Sequence, residues 1–465
     1  MTNSKWIRRA LLGGAAMTVM AAGAQADDLS ALKAQIESLQ ARVNTIEARG
    51  AALPEGVSFI TFQRGSDFAM KGGDDTKFLD RTPSDRGFTI AITPTADLPA
   101  PATEINLAYQ VRVLALWGKT KVSGVGSDSD FDLAARGTLD LRAKVDTAVG
   151  QVRGRMQIRN QFSGFSFGLR GPGGTLPVVD DSNGDQTTTS VEARLAFGEW
   201  DFMPGWTLLA GHAGQIAAVS NVGYATQPAM YGLDSTRDNQ IRLTYSGGPI
   251  SFGFGIENPS QDNRFVTTGA PANTTTVPDF AGFAQFNAPG GMSLRVTGEA
   301  GKVGGKIGGG TNTGYLVGVG TAAQISMLRF NAGFVYTKGL GCDGILSAGQ
   351  FGYCRVDEDD IGSPLPNFDN TPSSTSLAKA YGVQANMGAT LTEALSANAG
   401  FGYFNYTNLA DPDMVDHGYS FGGNIVWRPV DALQVAAEVD YFKVKTGTGI
   451  KGSTLAGGLG FWFTF

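Results

Sequence analysis

The stretch Ile105-Asn106-Leu107-Ala108-Tyr109-Gln110-Val111-Arg112-Val113 is apolar at every odd position and mostly polar or small at the even ones. A side-chain period of two is that of a strand with one apolar and one polar face. The same alternation recurs in residues 139–145, 240–245 and 433–441. Each run is close to the ~10 residues with which a tilted strand crosses a bilayer.

Between such runs the connections alternate in length. Short ones fall near Ala148-Val149-Gly150, Met203-Pro204-Gly205, Gly247-Gly248-Pro249, Ala288-Pro289-Gly290-Gly291, Gln324-Ile325-Ser326, Thr392-Glu393-Ala394 and Arg428-Pro429-Val430-Asp431. Long polar insertions occupy residues 164–190, 213–237, 260–278 and 339–376. Short turns at one end and long loops at the other are the asymmetry of an outer-membrane barrel, turns periplasmic and loops outside. Pairing strands across the short turns, and adding a first strand near Ile105 and a last one near Leu455, predicts an all-β transmembrane antiparallel barrel of about sixteen strands.

Composition agrees. The 465 residues include 65 Gly and 28 Phe, and only 17% are charged, which suits short aromatic strands and many turns. A helical membrane protein needs apolar stretches of ~20 residues, and the sequence has none. Soluble sandwiches also alternate, but their outer faces are charged. Here the aromatics Trp117, Tyr245, Tyr336, Tyr403, Trp427, Tyr441 and Phe463 sit near strand ends, as interfacial girdles require. The last segment closes on Phe461-Trp462-Phe463-Thr464-Phe465, and this terminal aromatic resembles the signal read by the bacterial barrel-assembly machinery.

With the apolar register facing lipid, the other faces water. In residues 151–159 that places Arg153, Arg155, Gln157 and Arg159 inward, and the preceding strand adds Arg142 and Lys144. Arg112, Arg242, Arg295 and Arg329 follow by the same rule. Guanidinium groups along a narrow water channel raise the local anion concentration and bind carboxylate or phosphate in two-pronged fashion. They also have acids to pair with, Asp140, Asp146 and loop carboxylates among them.

Ahead of the barrel, Lys5, Arg8 and Arg9, an apolar run from Ala10 and the Ala24-Gln25-Ala26 site read as a signal peptide over residues 1–26. Its loss takes Lys and Arg from 36 to 33 against 42 Asp and Glu, a charge of about −9, which argues against nucleic acid as a partner. Residues 27–50 carry Leu29, Leu32, Ile36, Leu39, Val43 and Ile46 at alternating spacings of three and four. This narrow stripe is a coiled-coil seam. Arg42-Val43 and Ile46-Glu47 resemble the signature of trimeric coiled coils, so a periplasmic homotrimer is expected. Gly50 and Pro54 end the helix, and residues 51–104 form a linker with two β-like pieces, 57–62 and 88–92, ahead of the transmembrane barrel domain over 105–465.

Cys342 and Cys354, twelve apart in an exported chain, read as a loop disulfide. Two Cys and two distant His do not make a zinc site, and no cofactor or metal is expected. The Lys302 to Gly310 run lacks the ending of a nucleotide-binding loop and reads as an outer loop. His212 and His417 lie at strand ends as rim residues, so an enzyme is not expected. The run Asp357-Glu358-Asp359-Asp360 reads as a solvated face or a bridge to ions of lipopolysaccharide, which with outer-membrane lipid is an expected partner.

The stretch Ala135-Arg136-Gly137-Thr138-Leu139-Asp140-Leu141-Arg142, followed by Gly150-Gln151-Val152-Arg153-Gly154-Arg155, resembles the porins of alphaproteobacteria. A periplasmic coiled coil joined to such a barrel is similar to the trimeric dicarboxylate-type channels of other Gram-negative bacteria. The resemblance implies passive diffusion of small hydrophilic solutes, anionic or polar, through a trimer. It also implies that the third connection at the loop end, residues 213–237, folds inward to narrow the pore, which would give Tyr231, Asp234 and the adjoining Asp238 that role. The competing function is a structural or adhesive barrel anchoring the envelope, with the coiled coil and acidic loops as its working parts.

Overall fold

The structure is a computed structural model and describes residues 59–64, 70, 87–93, 103–162, 190–219, 237–258, 277–307, 310–340, 379–407 and 415–465. The signal segment, the coiled-coil seam from Leu29 to Ile46, Tyr231, Asp234, Cys342, Cys354 and the 357–360 run lie outside the described residues. The chain divides into two compact units, residues 1–60 with 92–100, and residues 61–91 with 101–465. Only residues 59, 60, 92 and 93 of the first unit are described.

Two short strands, β1 (Phe59–Arg64) and β2 (Phe88–Thr93), stand near the β-like pieces expected in the linker. Sixteen longer ones follow: β3 (Thr103–Val122), β4 (Gly126–Thr147), β5 (Gly150–Phe162), β6 (Ser190–Met203), β7 (Trp206–Gly214), β8 (Arg237–Gly247), β9 (Ile250–Glu257) and β10 (Asp279–Ala288) make the first half. The second half is β11 (Met292–Ile307), β12 (Gly310–Ile325), β13 (Leu328–Lys338), β14 (Lys379–Thr390), β15 (Leu395–Thr407), β16 (Val415–Val430), β17 (Leu433–Thr446) and β18 (Lys451–Thr464). Each of the sixteen pairs antiparallel with its sequence neighbour, and β18 returns to β3 with Gly452 opposite Val122 and Thr464 opposite Gln110. The result is a closed antiparallel barrel of sixteen strands. Closure leaves no strand edge unpaired, as a sheet without a covering layer requires.

All seven predicted short turns join strands at one end of this barrel, and the strands that flank the four long insertions end at the other. At the turn between β4 and β5, Gly150 holds φ 115°, and a Cβ there would run into the carbonyl oxygen of Asp201. Glycine is required at such a place. One expectation is corrected. The Lys302 to Gly310 run is not a loop throughout, because β11 continues to Ile307 and β12 starts at Gly310, with a register shift between Val303 and Ile307. Its glycines admit that irregularity while the strand goes on.

The alternation read from the sequence sorts the two faces. On β3 the even positions from Asn106 to Val122 are buried, and the odd ones such as Tyr109 and Trp117 are exposed. Large apolar side chains are exposed around the outside, among them Phe254, Phe280, Val296, Val317 and Val439. Rings gather in two outward rows. At the long-loop end Tyr315 meets Tyr336, Tyr381 meets Tyr403 and Tyr419 meets Tyr441, with centroids 6.1, 5.8 and 6.3 Å apart. At the turn end Trp206 lies 5.2 Å from Tyr245 and 5.7 Å from Phe252.

Candidate functional site in the barrel lumen

Every basic residue assigned inward from the sequence takes that register. Arg112, Arg142, Arg153, Arg155 and Arg242 are buried on the inner face, and Lys144, Arg159, Arg295 and Arg329 are partly so. On β4 and β5, Arg142 stands directly opposite Arg155, and Lys144 opposite Arg153. Four cations on two adjacent strands would repel, and the wall supplies its own counter-charge. Asp140 accepts two hydrogen bonds from Arg155, at 2.7 and 3.1 Å, and one from Gln157 at 2.9 Å, with the Arg142 guanidinium at 3.5 Å. Arg153 donates to Glu199 at 3.0 Å and to Asp201 through two nitrogens at 2.9 and 3.0 Å. Lys144 pairs with Glu104 at 2.7 Å.

The sequence named Asp140 as a partner but missed Glu199 and Asp201, which reach Arg153 across the strand pair β5 and β6. Asp146, also expected to meet an arginine, accepts from Gln151 instead. The Arg112 guanidinium carbon stands over the Trp462 ring, 5.2 Å from its centroid, a favourable cation–π contact in a half-dry wall.

Against β9 and β11, the chain leaving β7 turns into the lumen. Residues 215–219, Gln-Ile-Ala-Ala-Val, are all buried. Their backbone is held by two inward side chains: Glu257 accepts from the Ile216 amide at 2.7 Å, and Arg295 donates to the carbonyls of Ala218 and Ile216, each at 3.0 Å. Gln215 adds a bond to Glu299 at 3.1 Å. The Arg295 guanidinium also lies over the Phe283 ring, 3.9 Å from its centroid. Inward folding of the third long connection is thus visible at its first residues. Of the side chains expected to carry it, only Asp238 is described, and it takes the inward register of β8 opposite Ala213. The overlooked signal was an apolar run directly after a strand, where a solvated loop would be polar.

Elsewhere the inner face is built of amides and acids. Asn398 donates to Asn424 at 2.8 Å and Asn424 to Glu438 at 2.9 Å, a line across β15, β16 and β17. Asp440 lies next to Glu438 on the same face, over Gly422. From the linker, Met70 packs against the inward Leu195, Phe197, Leu209 and Ala213, and Asn106 of β3 donates to Thr89 of β2 at 3.1 Å. The two histidines have ordinary polar neighbours, Asn239 for His212 and Asp416 for His417.

No family model matches the sequence, and neither does any curated protein. Among solved structures, the barrel is similar to the outer membrane channel DcaP of Acinetobacter baumannii, at 16% identity and a TM-score of 0.56, over 78% of this chain and 97% of that one. It is also similar to an anion-selective porin from Comamonas acidovorans, at 12% identity and a TM-score of 0.51, over 78% of this chain and all of that one. At these identities the likeness is one of fold.

Proposed function

We propose that the chain is a bacterial outer-membrane porin that lets small hydrophilic solutes diffuse passively through the lumen, with a preference for anions. The observation that carries this reading is the division of the barrel wall into an apolar outer face and an inner face of guanidinium, carboxylate and amide groups. Such a wall suits lipid outside and water within. Of the solved structures that share the fold, one is an outer membrane channel by name and another an anion-selective porin. The cationic side is the sector β3 to β5, where Arg112, Arg136, Arg142, Lys144, Arg153, Arg155 and Arg159 face inward. Because Asp140, Glu199 and Asp201 neutralise part of that charge, the preference is a modest one.

Residues 215–219 narrow the pore in this reading, and Arg295, Glu257 and Glu299 hold them there. The seam Leu29, Leu32, Ile36, Leu39, Val43 and Ile46 joins three barrels on the periplasmic side, after removal of residues 1–26, and Cys342 and Cys354 close a loop outside. Phe465 is the end presented to the barrel-assembly machinery. Planar-bilayer recording of the purified chain tests the function: large ohmic openings with a reversal potential on the anion side are expected. Replacing Arg153 and Arg155 by Glu should move that potential toward cations. A closed membrane would favour a structural barrel, and an unmoved reversal potential would remove the arginine sector from the conduction path. Native mass spectrometry giving a monomer would reject the trimer.

A further inference from the structure

The outer surface carries a charge pattern that the conduction reading does not use. On β3, β17 and β18, Lys119, Lys121, Lys443, Lys445 and Lys451 occupy the outward register within a few residues of the long-loop end. The pairings bring them together: Lys121 faces Ser453, Ser453 faces Lys443, and Lys445 faces Lys451. Among the described residues no carboxylate pairs with any of these five ammonium groups. Like charges on neighbouring strands cost stability when nothing offsets them. The rim continues in the same sense further round, where Lys338 stands opposite Lys379, both outward at the same end. At the turn end the outward positions are held by apolar and aromatic side chains such as Trp206, Tyr245, Phe252 and Phe463.

The height of the cluster fixes what it meets. It sits just past the outward aromatic row, with Lys443 over the Tyr419 ring at 5.9 Å. Lysines at such a level extend their stems along the apolar band and put their ammonium groups at the headgroup layer. A cleft of about 490 Å³ opens there, lined by Lys121, Lys443 and Lys451 with the hydroxyls of Ser123, Ser127 and Ser453. A single water takes ~30 Å³ of liquid, so the cleft has room for a headgroup and not just one small ion. Ammonium and hydroxyl donors that no carboxylate pairs among the described residues are the chemistry of a phosphate site.

We infer that this lysine cluster binds the phosphate groups of an anionic lipid seated against β17, β18 and β3 in the leaflet at the long-loop end. Lipid, and not free phosphate, is the occupant because the cluster faces outward above an apolar band that acyl chains would cover. The inference rests on the membrane-spanning reading. Its test uses the full-length protein in detergent, native mass spectrometry, and three probes: a bis-phosphorylated glycolipid, phosphatidylcholine and inorganic phosphate. The wild type should retain the bis-phosphorylated lipid, ignore phosphatidylcholine, and not release the lipid to millimolar phosphate. Changing Lys119, Lys121, Lys443 and Lys451 to Gln should lower retention at least fivefold, and changing the same four to Arg should keep it. A smaller loss, equal retention of phosphatidylcholine, or displacement by inorganic phosphate would overturn the site. Bilayer conductance of the same samples separates the premises. A conducting Gln variant with full lipid retention sinks the site alone, whereas a wild type that neither inserts nor conducts sinks both readings.

Discussion

Asp140 grips Arg155 through both carboxylate oxygens, with both side chains buried on the inner face of the barrel and Arg142 within 3.5 Å of the same carboxylate. One anion thus holds two guanidinium groups that the strand pairing sets directly opposite each other. Changing Asp140 to Asn removes the charge and keeps the shape. Leaving buried cations without their anion costs about 3–5 kcal/mol. The Asn variant is expected to unfold at lower temperature in detergent, followed by loss of β-sheet circular dichroism, and to conduct with a stronger anion preference. An unchanged reversal potential would mean that the Asp140 group does not face the ion path.

Arg153 is the reverse case, one cation between Glu199 and Asp201. Replacing it by Met leaves two acids facing the lumen with their shared counter-charge gone. Selectivity should move toward cations by more than the loss of one charge elsewhere on the rim, such as Lys302, which lies on the outward register of β11. Reversal potentials of the two variants, recorded under the same salt gradient, make the comparison.

The strand pattern was open to reading because a period of two needs no tertiary information: each odd residue of β3 from Ile105 to Val113 is outward because its neighbours are inward. The sixteen-strand count followed from the seven turns, five of which carry a Gly or Pro that marks where the chain reverses. The inward arginines followed from the same parity, and all took it. What parity cannot give is a partner across strands. Glu199 reaches Arg153 from forty-six residues away, and the pairing depends on the stagger of β5 against β6, which includes an irregularity between Gln157 and Ile158. The anchors of the lumen segment 215–219 were out of reach for a related reason. Glu257, Arg295 and Glu299 come from strands far along the chain, and nothing local in Gln-Ile-Ala-Ala-Val announces them.

Those anchors make the narrowing testable. Arg295 bonds two backbone carbonyls of the segment and Glu257 one backbone amide. Hydrogen bonds to charged groups are worth about 1.5–3 kcal/mol each. Changing both residues to Ala should free residues 215–219 from the wall and raise single-channel conductance, with more current noise as the segment moves. The same conductance in the double variant would show that the segment does not set the narrowest point.

Closure depends on the other terminus of the barrel. Phe465 exchanges two backbone hydrogen bonds with Tyr109, at 2.8 and 3.1 Å, and its ring stacks on the Tyr109 ring with centroids 6.5 Å apart. It is outward and exposed, and directly follows β18, the strand that seals the barrel against β3. Changing Phe465 to Asp keeps the backbone pair but puts a charge where the outer apolar face begins, which near a membrane interface costs about 0–1 kcal/mol. So small a penalty leaves the finished barrel stable. A large effect of Phe465→Asp on the amount of barrel reaching the membrane, with normal thermal stability of whatever does, would therefore locate the role of Phe465 in assembly. Pulse-labelled cells scored for the heat-modifiable folded band provide the measurement. Equal rates of appearance for wild type and variant would count against that role and leave Phe465 as a packing residue for Tyr109.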